Sequence, residues 1–253
     1  MTEPTIERVA SFDGTELAVR RMGAGRPVLM LHGLFSSAEM NWIRFGHARK
    51  LADAGFEAVM PDLRVHGDSG KPHEPEAYPQ GVLAKDAAAL VEALGLTDYD
   101  LVGFSLGART SARAVIEGLS PRRLVLAGMG LEGLSGWSGR SAFFIDAIDR
   151  FDEVERGDPA FMAVSFMKTM KVDRKAARLL LQAVDDTAPE ELAKIAMPTL
   201  VLCGDKDDDN GSAAKLAETL PDARHVEIPG THMSSVTEGA LGDALVEFLG
   251  SSA

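Results

Sequence analysis

The sequence predicts an α/β fold: a mostly parallel, doubly wound sheet carrying a helical insertion. Three observations lead there. From residue 27 onward, short apolar runs alternate with stretches of helical spacing, and strands alternating with helices imply parallel βαβ units. Several of the runs, such as "PVLML" and "TLVLC", are apolar without a break, as strands covered on both faces must be. One long stretch, 131–190, holds helical patterns and no convincing strand.

In order, "TIERVAS" and "ELAVRRM" flank Asp13-Gly14, a strong hairpin signal. "PVLMLHG" (27–33) reads as a buried strand, and "SAEMNWIRFGHARKLADAG" as one helix stopping at Gly55. A strand follows at 56–63, a helix at 80–95, a strand at 99–104, a helix from Leu106, and a strand at 122–128. After the insertion come strand 198–204, helix 212–220, strand 224–230 and a helix from about Ser235 to Leu249. That last helix sets Leu241, Leu245 and Phe248 on one stripe. The expected organisation is a core of 1–130 and 191–253 with a helical cap of 131–190.

With 253 residues, 45% hydrophobic and 25% charged, the chain can bury a substantial core. A net charge of −12 argues against nucleic acid as a partner, and no Lys/Arg run suggests a membrane surface. The lone Cys203 excludes an intrachain disulfide and reads as core. The N-terminal stretch lacks the apolar heart of a secretion signal and no run approaches a bilayer span, so the expectation is a cytoplasmic protein acting on a small molecule, its oligomeric state open.

The chemistry centres on "DLVGFSLGARTSA". Gly103-Phe104-Ser105-Leu106-Gly107 joins a buried strand to a helix, the setting of a nucleophile elbow. Flanking glycines allow the sharp turn, and the helix N-terminus favours developing negative charge. A serine needs a base to become a nucleophile. Of six histidines, His232 in "EIPGTHMSS" follows the last strand and belongs on the same rim of the sheet as Ser105. The base needs an orienting carboxylate. "LCGDKDDDNG" on that rim offers Asp205, Asp207, Asp208 and Asp209, and Glu132 follows the preceding strand.

Five motifs, "HGLF" (32–35), "DLRVHGDSGKP" (62–72), "GFSLG" (103–107), "GDKD" (204–207) and "GTH" (230–232), occur in an order that resembles the α/β-hydrolase family over nearly the whole chain. The resemblance implies Ser105 as nucleophile, His232 as base and Asp207 as acid, with Asp205 and Glu132 as alternatives. It implies an oxyanion hole from the N–H groups of Leu106 and Leu34, with Phe35 as alternative to Leu34, and a cap over the nucleophile. No metal or organic cofactor is needed. His32 and His66 are expected to brace loops. Members that use an aspartate at the elbow, the haloalkane dehalogenases and epoxide hydrolases, differ from this chain at position 105.

Phe35, Met129, Trp137, Phe144 and Met233, with Leu34, are expected to line an apolar pocket. No side chain is obviously placed to bind a carboxylate or phosphate on the substrate, with Arg140 and Lys168 left open. The implied function is hydrolysis of a small to medium uncharged ester. Alternatives on the same triad are a cofactor-free perhydrolase (haloperoxidase), a C–C bond hydrolase, or a small-molecule receptor with slow turnover. A run of glycines, Gly128-x-Gly130-x-x-Gly133, mimics a dinucleotide fingerprint, but the Gly/Ser-rich "LEGLSGWSGRS" after it argues against the helix such a site needs.

Overall fold

The structure, a computed structural model, describes residues 4–251. β1 (Thr5–Ala10) and β2 (Glu16–Gly23) form the expected antiparallel hairpin, with Gly14 at φ 83° in its turn. There follow β3 (Arg26–Leu31), α1 (His47–Asp53), β4 (Phe56–Pro61), α2 (Val82–Ala93), β5 (Asp100–Phe104), α3 (Leu106–Ile116) and β6 (Leu124–Ala127). Between β6 and β7 the chain runs through α4 (Leu131–Ser135), α5 (Trp137–Asp149), α6 (Phe161–Thr169) and α7 (Arg174–Ala183). β7 (Thr199–Gly204), α8 (Ala213–Thr219), β8 (Ala223–Ile228), α9 (His232–Ser235) and α10 (Gly239–Gly250) complete it.

One sheet holds all eight strands in the order β1-β2-β4-β3-β5-β6-β7-β8. β1–β2 and β2–β4 are antiparallel, and every pairing from β4 to β8 is parallel. The strands bury both faces by alternation. Leu29, Leu31 and Leu101 join one core with residues of α2, α3, α7 and α8, while Val28, Met30 and Val102 join the other with residues of α1 and α10. Successive strands depart to opposite sides of β3, first to β4 and then to β5. That reversal opens a crevice at the carboxyl ends of β3 and β5, where doubly wound folds place their sites.

Three expectations change. The single helix over 37–55 is two pieces. Glu39–Ile43 forms one wide π turn closed by Arg44 N–H on the Glu39 carbonyl, and Gly46, at φ 82°, separates it from α1. The last helix starts at Gly239 rather than Ser235, because 232–235 makes a separate capped turn; Leu241, Leu245 and Phe248 are buried as the stripe requires. The Gly/Ser-rich run after β6 is helical after all, as α4 and the start of α5. Its glycines fit there because side chains at 130 and 133 would collide with the 210–211 backbone. No helix among the described residues is long and apolar enough to cross a membrane.

Candidate active site

Ser105 stands alone between β5 and α3, at φ 54° and ψ −112°. A side chain in this conformation costs on the order of 1–3 kcal/mol and persists only where its surroundings fix it. Here Ser105 N–H donates to the Ala127 carbonyl (2.8 Å), and its own carbonyl accepts Arg109 N–H (3.0 Å). A Cβ on Gly103 would run into the Gly107 carbonyl, and a Cβ on Gly107 into the Leu31 carbonyl. The two glycines therefore mark where strand, helix and neighbouring strand touch backbone to backbone. They let the chain pivot and leave the Ser105 hydroxyl outward.

His232 opens α9. Thr231 and Ser234 cap that turn reciprocally: Thr231 Oγ1 accepts Ser234 N–H and Ser234 Oγ accepts Thr231 N–H. His232 Nε2 lies 2.9 Å from Ser105 Oγ and Nδ1 2.9 Å from Asp207 Oδ2. Its ring packs against Phe104 at 5.3 Å. The Asp207 side chain is fully buried. Burial alone would raise its pKa, but the hydrogen bond and charge of His232, with Asp209 N–H and the Cys203 thiol, hold it below the ordinary value. An ionised Asp207 only accepts, which assigns the proton to His232 Nδ1 and turns the Nε2 lone pair toward the Ser105 hydroxyl.

The other carboxylates go elsewhere. Asp205 is exposed and accepts Gly230 N–H at 2.8 Å, tying the loop after β7 to the loop after β8. Glu132, on α4, accepts Ser212 N–H at 2.8 Å. Cys203 is buried as expected and also directs Sγ at Asp207 Oδ2, 3.5 Å away. Burial, then the Asp207 charge, pushes that thiol up to about 12.

Leu106 N–H lies in the first turn of α3, where no i−4 carbonyl exists for it. The loop after β3 comes alongside: a Cβ on Gly33 would stand 3.5 Å from Ser105 Cβ, which brings the Gly33–Leu34 backbone to the serine. Asn41 Oδ1 accepts Gly33 N–H (3.2 Å). His32 Nε2 accepts Leu63 N–H (3.0 Å), so Nδ1 carries the proton toward the Gly33 carbonyl (2.8 Å), and burial keeps the ring neutral. His66 is bonded through Nδ1 to the Arg64 carbonyl and packs edge-on to His32 at 5.0 Å.

Ser105 and His232 face a cavity of about 770 Å³. Leu34, Phe35, Met129, Trp137, Phe144 and Met233 all line it. So do Met40 and Phe45, which the sequence reading missed because the wide turn at 39–43 was read as ordinary helix. Arg140 reaches the wall, whereas Lys168 lies over the Phe151 ring. Arg109, also on the wall, was hidden by its place inside an otherwise small-residue helix.

The model of the alpha/beta hydrolase fold matches residues 26–133. A non-heme haloperoxidase of Rhodococcus erythropolis is 30% identical over 95% of this chain and 98% of its own length. The chain belongs to the α/β-hydrolase superfamily. Epoxide hydrolase 2 of Siraitia grosvenorii is 34% identical over a shorter part, 39% of this chain and 30% of that protein. Among solved structures, an esterase from Exiguobacterium antarcticum superposes with a TM-score of 0.80 over 98% of this chain and all of its own; at 21% identity the likeness is one of fold.

Proposed function

We propose that this hydrolase cleaves small to medium carboxylic esters through an acyl-enzyme on Ser105. The observation that carries the reading is the unbroken chain Asp207–His232–Ser105, both links 2.9 Å, opening into an apolar cavity. His232 Nε2 takes the Ser105 proton as Oγ attacks the ester carbonyl. The carbonyl oxygen becomes an oxyanion and accepts from the Leu106 and Leu34 N–H groups; losing one such donor typically costs about 2.7–4 kcal/mol. His232 returns the proton to the departing alcohol, and the C–O bond breaks. Water then enters, gives its proton to Nε2 and attacks the acyl carbonyl; the proton returns to Ser105 Oγ as the acid leaves. Asp207 orients the ring and stabilises its charged form. Residues 131–190 serve as the cap over this chemistry.

The test is hydrolysis of p-nitrophenyl acetate, butyrate and octanoate by wild type and Ser105→Ala. Turnover that vanishes in the variant supports the reading, and the chain-length profile sizes the pocket. Wild type inert toward all three, and toward esters that carry a carboxylate, would sink it.

The full-length similarity to a haloperoxidase favours a second reading on the same residues. Hydrogen peroxide in place of water would intercept the acyl-enzyme and release a peracid, which oxidises bromide without a metal. Bromination of monochlorodimedone with acetate, peroxide and bromide, abolished in Ser105→Ala, tests it.

A further inference from the structure

The cavity is mostly apolar, yet two guanidinium groups stand on its wall. Of the other buried arginines, Arg123 donates to the Leu249 and Ser251 carbonyls, and two are matched by carboxylates. Arg64 pairs with Asp13 and Asp86, and Arg20 with Asp62 and Asp68. On the cavity, Arg140 has no such match and Arg109 has only a long pair with Asp186. Arg140, on α5, gives one hydrogen bond, from Nη1 to the Asp209 backbone carbonyl (2.6 Å), and has no carboxylate within ion-pair distance among the described residues. Arg109, only 2% exposed, spends Nη1 on the Leu134 and Asp185 carbonyls, and its Nη2 has no partner. Its nearest carboxylate, Asp186, is 3.6 Å away, half-exposed, and already accepts Trp137 N–H at 2.6 Å.

We infer that the site is built for esters that also carry a carboxylate, held by Arg140 with Arg109 reinforcing the field behind it. This rests on the esterase reading above and narrows its substrate class. Arg140 is half-buried with no carboxylate partner, and an entering carboxylate would supply the missing charge in bidentate geometry. The charges around the pair do not supply it. Burial outweighs the attraction of Asp209 and Asp207 at Arg140, and of Asp186 at Arg109, so both cations are held below the ordinary arginine value, Arg109 at about 10. Asp207 is in any case committed to His232.

Placement fits the chemistry. Arg109 lies one helical turn beyond Ser105, and Arg140 is close enough to Asp207 to feel its charge. A carboxylate at Arg140 therefore shares the cavity with the reacting carbonyl. A chain of net charge −12 repels anions at long range, so recognising one calls for local cations of this kind.

The experiment pairs substrates of matched size on the intact protein. Mono-p-nitrophenyl succinate and glutarate are set against p-nitrophenyl butyrate and valerate, which places the charge on the acyl side. 4-Acetoxybenzoate is set against its methyl ester, which places it on the alcohol side. Wild type should prefer the anionic member of one pair by about 10-fold or more in kcat/KM, the scale of a charge-assisted bidentate contact. Arg140→Gln should remove that preference by raising KM for the anionic ester about 10-fold more than for its neutral partner, and Arg140→Lys should restore part of it. Neutral esters turned over with no anionic preference, or a preference that survives Arg140→Gln, overturns the inference and leaves the esterase reading standing. No hydrolysis of any ester overturns both.

Discussion

Gly107 and Leu31 touch so closely that residue 107 has no room for a methyl group: a Cβ there would strike the Leu31 carbonyl oxygen. The contact ties the first turn after Ser105 to the strand that leads into the Gly33–Leu34 loop. Gly107→Ala must push these apart. Overpacking of this kind costs about 1–3 kcal/mol, which in a chain of this size lowers Tm by roughly 2–4 °C for each kcal/mol. Thermal melts check the stability, and ester turnover should fall further than the melt alone explains, because both proposed oxyanion donors flank this contact.

Replacing Ser105 separates strain from chemistry. Ser105→Ala and Ser105→Gly should both lose turnover, by about 10⁴–10⁶-fold in kcat. Ser105→Gly should melt higher than Ser105→Ala, because φ 54° suits glycine and alanine keeps the strain. Equal melting temperatures, or the reverse order, would refute the claim of strain.

The acid is tested by three variants. Asp207→Asn should lower kcat by about 10⁴-fold, since the amide favours the wrong tautomer of His232. Asp205→Asn and Glu132→Gln should keep activity within a few-fold, because those carboxylates hold Gly230 and Ser212 amides instead. Full activity in Asp207→Asn would overturn the assignment.

Acid stability should depend on Asp13. The Arg64 guanidinium beside it draws its pKa from 3.8 down to about 2. A depressed carboxylate stabilises the fold above its ordinary pKa and loses that contribution as pH falls through the folded value. Asp13→Asn should therefore cost roughly 1 kcal/mol at pH 7, after allowance for solvent screening, and flatten the stability profile between about pH 4 and 2. Urea melts across that range read it directly.

Cys203 offers a probe of the buried acid. With its thiol at about 12 and no exposure to speak of, the native protein should not react with Ellman's reagent at pH 8. In guanidinium chloride the single cysteine should titrate fully. Fast labelling of the native state would show that the floor beneath Asp207 opens.

Most of the sheet was legible because unbroken apolar runs such as Thr199–Gly204 have few other homes, and because Gly103 and Gly107 announce a close turn. The acid was harder to read. Four aspartates crowd 205–209, and the turn closed by Asp207 N–H on the Gly204 carbonyl decides which one goes inward. Arg109 left no trace at all: on α3 it reads as an ordinary helical residue, and only the packing of Leu134, Asp185 and Trp137 around it makes it part of the cavity. The break at Gly46 is hidden for a related reason, since an isolated glycine inside a helical pattern can be tolerated there.

Ser105 and His232 are 127 residues apart along the chain and meet only after β6, β7 and β8 have been added to the sheet. During synthesis the serine emerges long before its base. On the proposed mechanism, a partly made chain thus carries a serine that lacks the base needed to activate it. The same distance makes turnover a reporter of the whole topology: any event that detaches the β7–β8 edge should silence the protein before the rest of the sheet comes apart.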